Sequence, residues 1–307
     1  MRNLFVPTKT PFMGARTDIS LDEADAVLFG APHGTPYGGI DNGPFAAAPD
    51  ALRAALQDDA RWVDHWDFDL DATLLGDKGF ALADAGNLAT SSLDGAGNRA
   101  LIKEATGQIL NAGAVPLMVG GDDSTPIPFI ETVAALGPLT IVQIDAHIDW
   151  RDERRGESLG FSSTMRRASE MRHVERIIQV GIRGFGSARR EEVQIARQWG
   201  AKIITARDVH RDGIGVVMAH LPEGANCLIT LDCDALDAGI MPAVMAPTPG
   251  GLSYTQTIDL VADVVARTTL VGFDLIEFVP ERDLHGTAAI TAARIIANVI
   301  GSLAKRT

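Results

Sequence analysis

Three acidic clusters in this 307-residue chain have the residue types and the spacing to hold divalent cations. Each cluster follows directly on a short apolar run. The clusters are Gly120-Gly121-Asp122-Asp123-Ser124, Asp145-Ala146-His147-Ile148-Asp149 and Asp232-Cys233-Asp234-Ala235-Leu236-Asp237. Together they carry seven carboxylates and one imidazole. Such a set, brought together without cations, would suffer mutual repulsion and a large loss of hydration.

Taken singly, each cluster is more often a hydrogen-bonded pair or a helix cap than a set of metal ligands. As a set they favour metal, because mixed carboxylate and imidazole ligation suits Mn²⁺, Ni²⁺ or related ions. The carboxylates are too many for one ion, so the sequence predicts a two-metal site. In such a site a hydroxide shared by both ions is a nucleophile at neutral pH.

The elements that must position these residues alternate between strands and helices. Short, mostly apolar runs predict strands that are buried on both faces, at 26–30, 115–119, 140–144, 176–182, 202–205, 227–231 and 270–273. Helices are predicted at 98–111, 126–136, 189–199, 254–267 and 288–303. This alternation is typical of a doubly wound parallel sheet, which binds its ligands at the carboxyl edge of the strands.

No linker, charge run or internal repeat divides the chain, so we predict a single domain over residues 1–307. The opening segment 1–20 has no clear periodicity and is a candidate for an arm that packs on a neighbouring subunit. The loop 150–163 crowds five charged residues together, from Arg151 to Arg155. Such a run is usually a solvated face, and the alternative is a substrate loop.

Composition excludes several classes of protein. A hydrophobic fraction of 46% with 22% charged residues indicates a globular chain, and the net charge of −13 disfavours nucleic acid as a partner. No apolar stretch of about 18 residues and no secretory signal is evident, so we expect no membrane partner and a cytoplasmic location. Two cysteines, Cys227 and Cys233, cannot form a disulfide framework and are expected to be buried.

Four motifs in this order resemble the ureohydrolases, the family of arginase, agmatinase and guanidinobutyrase. They are Asp-Ala-His-Ile-Asp at 145–149, Asp-Cys-Asp at 232–234, Pro-Gly-Gly-Leu at 249–252 and Gly-Phe-Asp-Leu-Ile-Glu at 272–277. Supporting segments span most of the chain. These are Gly30-Ala31-Pro32, Pro49-Asp50-Ala51-Leu52-Arg53 and Thr291-Ala292-Ala293-Arg294.

The resemblance implies an arginase-like three-layer α/β/α fold with a mostly parallel, eight-stranded central sheet. It also implies two divalent metal ions, Ni²⁺ or Mn²⁺, that hydrolyse a guanidinium carbon through a metal-bridged hydroxide. By motif position the metal ligands are Asp123, Asp145, His147, Asp149, Asp232 and Asp234, of which Asp145 and Asp232 bridge the ions. Asp149 and Glu277 are the predicted catalytic residues, and Glu277, Trp150 and Ser163 the predicted substrate contacts.

Two departures from the family pattern bear on activity. The first metal motif of the family is usually Gly-Gly-Asp-His, and here Asp123 stands at the fourth position. An all-carboxylate shell favours the harder Mn²⁺, and the same change is compatible with an absent ion. The second departure is the loss of a His-Gly-Thr motif, where the chain instead reads Gly-Phe-Ser-Ser-Thr-Met-Arg-Arg at 160–167.

The run at 162–171 resembles the branch of the family that hydrolyses guanidine and metformin. That branch is associated with nickel and includes a two-subunit metformin hydrolase. Two hypotheses follow. The chain is an active amidinohydrolase for guanidine or a small substituted guanidine such as metformin, or it is a non-catalytic partner subunit with a degraded metal site. Either form is expected to assemble into trimers or hexamers, as a homo-oligomer or with a paralogous subunit.

Overall fold

The centre of the molecule is a twisted sheet between two layers of helices. The computed structural model describes residues 4–40, 42–186 and 188–306. In chain order the strands of the sheet are β1 Phe5–Val6, β2 Ala26–Gly30, β3 Leu82–Leu88, β4 Val115–Val119, β5 Leu139–Ile144, β6 Val174–Ile182, β7 Lys202–Thr205, β8 Asn226–Asp232 and β9 Thr269–Ile276. They lie side by side in the order β1-β3-β2-β4-β9-β8-β5-β6-β7.

The sheet has nine strands, which corrects the expected number of eight. Strands β2 to β9 pair in parallel, and only β1 runs antiparallel, with Phe5 opposite Leu88. Strand β1 has only two residues, too few for a sequence pattern to predict it. It belongs to the sheet because it pairs with β3. Within the segment predicted to be an arm, β1 pairs with β3 of its own chain, and packing of this segment on a neighbouring subunit stays a prediction. Residues 1–3 of that segment lie outside the described residues.

The helices divide between the two faces of the sheet. They are α1 Ala48–Ala54, α2 Gly95–Asn111, α3 Pro126–Thr132, α4 Thr164–Glu170, α5 Arg190–Trp199, α6 Ala206–Asp212, α7 Gly215–Met218, α8 Tyr254–Arg267 and α9 Thr287–Ala304. Helices α2 to α5 contribute to one hydrophobic core, and α1 with α6 to α9 contribute to the other. The predicted three-layer α/β/α fold is confirmed.

Alternation along the strands explains why there are two cores. In β4, Leu117 and Val119 face one core while Met118 faces the other. In β8 the same alternation separates Leu228 from Ile229. Because successive side chains of a strand point to opposite faces, a strand that is apolar throughout must be covered on both sides.

Strand β3 was absent from the predicted elements because polar residues interrupt it. Its Asp84 is buried and forms two hydrogen bonds with the buried Arg53 of α1, at 2.8 and 2.9 Å. A third guanidinium nitrogen of Arg53 donates to Asn87 of the same strand at 2.6 Å. The polar residues of β3 therefore serve to anchor helix α1, since a buried charge is tolerated only when it is paired.

Helix α9 is long and apolar enough to cross a membrane by length and composition. In the structure 78% of it is buried inside the molecule. That degree of burial is typical of a core helix of a globular domain. Both cysteines, Cys227 and Cys233, are free and fully buried, as expected.

Four neighbouring strands in the middle of the sheet, β4, β9, β8 and β5, end next to one another. All three acidic clusters and Glu277 come at or directly after the ends of these four strands. Parallel pairing places the carboxyl ends on one edge of the sheet.

Candidate metal centre and pocket

Two groups of side chains on this edge have the geometry of cation sites. The first ligand group consists of Asp123, Asp145 and Asp149, and the second of Asp145, His147 and Asp234. Within each group the candidate ligand atoms lie within 4.8 Å of one another. Asp145 belongs to both groups, so the structure brings the predicted ligands together around a shared carboxylate.

Asp232, the second predicted bridging ligand, belongs to neither of these two groups. It lines the same pocket as Asp123, Asp149 and Asp234, and its Oδ1 accepts a hydrogen bond from the backbone of Asp234 at 2.7 Å. Burial, followed by the charges of Asp234 and Glu277, raises the pKa of Asp232 well above its usual range. Asp232 therefore lies close enough to the ligand groups to share their electrostatic field.

The turn that carries Asp123 depends on two glycines. Gly120 and Gly121 adopt φ values of +90° and +81°, in the left-handed region. A Cβ at Gly120 would lie 2.7 Å from the ring of Pro49, and one at Gly121 would lie 2.6 Å from the carbonyl oxygen of Ala31. Only glycine fits both the backbone angles and the space, which accounts for the Gly-Gly pair before the acidic residues.

Two of the acidic side chains sit on backbone that is unusual for their type. Asp149 has a φ of +48° and Glu277 a φ of +63°, although neither is a glycine. The Oε1 of Glu277 accepts a hydrogen bond from the backbone N–H of Asp123 at 2.9 Å. Its own N–H donates to the carbonyl of Gly121 at 2.9 Å. Left-handed backbone at non-glycine residues costs about 1–3 kcal/mol and is found most often at functional sites.

The protonation of these groups reflects crowding and burial. Burial, followed by the charge of Asp149, raises the pKa of both Asp123 and Asp145 well above the ordinary range. Burial disfavours the charged form of His147, but its 3.1 Å hydrogen bond to Asp234, together with the charges of Asp234 and Asp149, outweighs burial and raises the imidazole pKa. The raised pKa values of Asp123, Asp145 and His147 are consistent with an excess of negative charge at this edge of the sheet.

The residues fit a pair of divalent cations. Oδ2 of Asp122 and Oδ2 of Asp123 are buried without a hydrogen-bond partner among the residues that the structure describes. Buried carboxylate oxygens without partners are rare, and a bound cation is one way of satisfying them. Cations would also relieve the repulsion that raises the pKa values, and oxygen-rich groups with one imidazole suit Mn²⁺ or a related ion.

A pocket of about 370 Å³ opens above these groups. Glu277 and five aspartates form its floor, and its outer wall is aromatic and basic. The five aspartates are Asp122, Asp123, Asp149, Asp232 and Asp234, whereas the shared Asp145 is not among the lining residues. The outer residues are Pro36, Tyr37, Ile40, Phe45, Arg151, Arg154, Phe161, Phe185 and Met245. The pocket therefore combines a strongly acidic floor with a wall that favours apolar groups.

Loop residues far apart in sequence build the outer wall. The rings of Tyr37 and Phe161 are 4.7 Å apart in an edge-to-face arrangement, and Arg154 lies over both rings. The Tyr37 hydroxyl also accepts a hydrogen bond from the backbone of Ser162 at 3.0 Å. Sequence reasoning missed Tyr37 because nothing near residue 37 signals a contact with residue 161. Arg151 and Arg154 lie in the predicted charged loop, and the structure brings that loop to the pocket.

Two predicted substrate contacts do not reach the pocket. Trp150 is 2% exposed, packs against Trp199 with the ring centroids 6.0 Å apart, and donates its indole N–H to Gln179 at 3.2 Å. Ser163 is fully buried directly before helix α4. It is Ser162 that lines the pocket. We therefore withdraw Trp150 and Ser163 as substrate contacts, since position next to a motif does not determine which way a side chain points.

A mostly parallel α/β sheet thus carries, at its carboxyl edge, two groups of side chains that could each hold a divalent cation and that share Asp145. Residues 24–301 match the arginase family. The chain belongs to the arginase family, as its motifs predicted.

Individual relatives agree with this assignment. The chain is 31% identical to an agmatinase of Pyrococcus horikoshii over 290 residues, which cover 94% of this chain and 95% of the relative. It is 34% identical to an N(1)-aminopropylagmatine ureohydrolase of Thermus thermophilus over 202 residues, covering 66% and 67% of the two chains. The fold is shared with proclavaminate amidino hydrolase from Streptomyces clavuligerus, with a TM-score of 0.81, 24% identity and coverage of 98% and 99%.

Proposed function

We propose that the chain is an amidinohydrolase that cleaves a C–N bond of guanidine or of a small substituted guanidine such as metformin. The observation that carries the proposal is the membership of Asp145 in both ligand groups, whose other members line one pocket together with Glu277. The relatives named agmatinase and N(1)-aminopropylagmatine ureohydrolase support hydrolysis of a guanidino compound.

The two ligand groups would hold one divalent cation each, with Asp145 shared and Asp232 as a further ligand. When bound, the cations supply Lewis acidity and make a nucleophile available at neutral pH. A shell rich in carboxylates favours Mn²⁺ over Ni²⁺.

Two side chains of the pocket would bind the substrate and transfer the proton. Glu277 would bind the N–H groups of the guanidinium through charge-assisted hydrogen bonds and so orient its carbon. Asp149 would take a proton from the attacking water, whose oxygen forms a bond to that carbon. The C–N bond then breaks and the leaving nitrogen takes the proton. The products are urea and ammonia from guanidine, and urea and an amine from an alkylguanidine. Metformin is a biguanide, so cleavage of one C–N bond gives guanylurea and dimethylamine, or urea and dimethylguanidine.

The test is to purify this chain alone, supply Mn²⁺ or Ni²⁺, measure the bound metal, and assay the release of urea and, for metformin, of dimethylamine as well. The substrates are guanidine, metformin, 4-guanidinobutyrate and agmatine. Two bound ions with turnover would support the proposal. If the chain alone shows neither bound metal nor turnover, and co-expression with a paralogous chain restores both, the result would instead support the non-catalytic partner subunit.

We also propose a trimeric or hexameric assembly and a cytoplasmic location. The assembly is tested by light scattering of the purified chain at several concentrations, and the location by fractionation of cells that express it. A monomer at all concentrations would contradict the first of these proposals.

The outer wall of the pocket predicts a charge preference for the part of the substrate beyond the guanidinium. Arg154 lies 5.5 Å from the ring centre of Tyr37 and 5.6 Å from that of Phe161. Among the described residues, no carboxylate lies within ion-pair distance of Arg154. We expect a higher kcat/KM for 4-guanidinobutyrate than for agmatine, which has similar length but ends in an ammonium group, by about tenfold, or ~1.4 kcal/mol.

The variant Arg154→Gln should remove most of this preference and leave turnover of guanidine, which has no second group, unchanged within about twofold. Steady-state kinetics on the three substrates measure both effects. Equal kcat/KM values for agmatine and 4-guanidinobutyrate in the wild type would contradict the prediction.

Asp123 predicts the metal preference. Replacing the carboxylate by an imidazole in Asp123→His should raise the affinity for Ni²⁺ relative to Mn²⁺ by about tenfold, because imidazole is the softer ligand. Metal competition followed by elemental analysis measures the ratio, with the exposed Asp58→Asn as the matched control. An unchanged ratio would show that Asp123 is not a ligand.

A further inference from the structure

A row of buried amides connects the core to two of the acidic side chains. Trp150 donates its indole N–H to Oε1 of Gln179 at 3.2 Å. The amide nitrogen of Gln179 in turn donates to Oε1 of Gln143 at 2.5 Å. Finally, the amide nitrogen of Gln143 donates to Oδ2 of Asp145 at 2.7 Å and to Oδ2 of Asp149 at 2.8 Å.

Every hydrogen-bonding group of the Gln143 amide is used in this row. A glutamine amide has two N–H donors, and here one goes to each carboxylate, while its oxygen accepts from Gln179. The amide cannot be flipped without placing its oxygen against the carboxylates. Gln143 is 1% exposed and Gln179 is fully buried, so bulk water does not compete for these bonds.

Gln179 also ties the row to the backbone of the acidic turn. Its amide nitrogen donates to the carbonyl of Ile148 at 2.8 Å, directly before Asp149. Asp149 has the left-handed φ of +48°, a conformation that the surroundings must hold in place. The row therefore restrains both the backbone and the carboxylate of Asp149.

The two carboxylates that Gln143 contacts belong together to the first ligand group and not to the second. Asp149 occurs only in the first group, and Asp145 is the shared member. In the second group, His147 and Asp234 contact each other directly at 3.1 Å. The amide row therefore contacts two ligands of the first group, but only the shared Asp145 of the second group.

We propose that Gln143, supported by Gln179 and Trp150, is a positioning residue that orients Asp145 and Asp149 for the cation of the first ligand group. This inference rests on the proposed function, because it requires that the first ligand group binds a metal ion. Partners of metal ligands fix the ligand orientation, and their loss typically weakens metal affinity by about 10–100-fold. Trp150 acts at the far end of the row and contacts no substrate.

The test is Mn²⁺ binding by the metal-free full-length chain, followed by the electron paramagnetic resonance signal of free Mn²⁺. The wild type is expected to bind two equivalents. Gln143→Met keeps the length of the side chain but removes the amide, and it should weaken one equivalent by about 10–100-fold while the other is retained. The matched control is Thr140→Val, a buried position on the same strand that contacts neither carboxylate in the structure.

Two further variants guard against a general loss of structure. Gln179→Met breaks the row one step away, and Trp150→Phe removes only the indole N–H while an aromatic ring remains. Both should weaken the same equivalent as Gln143→Met, by a smaller factor. Circular dichroism of the metal-free variants should match that of the wild type.

The outcomes separate this inference from the proposed function. If the wild type binds two equivalents and Gln143→Met binds both with unchanged affinity, the positioning role is overturned while the proposed function stands. Equal weakening of both equivalents would also overturn it. A wild type that binds neither Mn²⁺ nor Ni²⁺ would overturn the proposed function and this inference together.

Discussion

Asp145→Asn is expected to abolish binding of both divalent cations and to lower urea release by about a thousandfold or more. Asp145 is the member common to the two ligand groups. It is 1% exposed, so water cannot take the place of the lost carboxylate oxygen. Asparagine keeps the size of the side chain but provides a neutral oxygen, which weakens both sites at once. Among the described residues, no other side chain belongs to both groups, so no other single substitution is expected to act on both so directly.

Elemental analysis and a urea assay on the same preparation measure the two effects. The control is Asp212→Asn, on helix α6, where the side chain is exposed and paired with Arg211. That variant should bind metal and turn over like the wild type. Two bound ions and full activity in Asp145→Asn would refute the assignment of the metal centre.

Asp274→Asn is expected to raise the free energy of unfolding of the metal-free protein, and to do so more at pH 8 than at pH 5. Asp274 lies in the middle of β9 and is fully buried. Its Oδ1 accepts a hydrogen bond from Thr230 at 2.7 Å, whereas Oδ2 has no partner among the described residues. Burial raises the pKa of Asp274 to about 8.

The sign of the pH dependence follows from the proton balance. In the unfolded chain an aspartate releases its proton near a pKa of about 4, while the folded state keeps it until about pH 8. Between these values the folded state binds more protons, so the contribution of Asp274 to stability falls as the pH rises. Asparagine does not ionise, and the gain from the substitution should therefore be larger at pH 8 than at pH 5 by about 3.6 kcal/mol.

Urea unfolding of the metal-free wild type and variant at both pH values measures this difference. The other buried carboxylates are common to both proteins, so the comparison reports Asp274 together with its charge interaction with Asp123. The exposed Asp58→Asn serves as the control and should show no pH-dependent difference. A gain that is equal at pH 5 and pH 8 would mean that Asp274 is ionised in the folded state.

Local sequence was sufficient to predict the features that depend only on residues adjacent in the chain. Apolar runs of four or five residues predicted the central strands, and the acidic residues directly after them predicted the edge of the sheet. Strand order could not be derived in this way, because pairing such as that of β4 with β9 joins residues more than 150 positions apart. Strand β3 was missed because Asp84 and Asn87 make it polar, and the buried Arg53 that pairs with them comes from a distant helix.

The sequence alone determined the family, the three-layer fold and the identity of the acidic residues at the candidate centre, since these depend on residue type and short-range spacing. Only the tertiary structure decided which ligands share a carboxylate, that Arg154, Tyr37 and Phe161 form the outer wall, and that Trp150 points into the core. The physical reason is that a side chain is directed by its backbone angles and by the packing of distant segments. The sequence can place a residue at the end of a strand, but the packing of neighbouring elements determines which groups its side chain contacts.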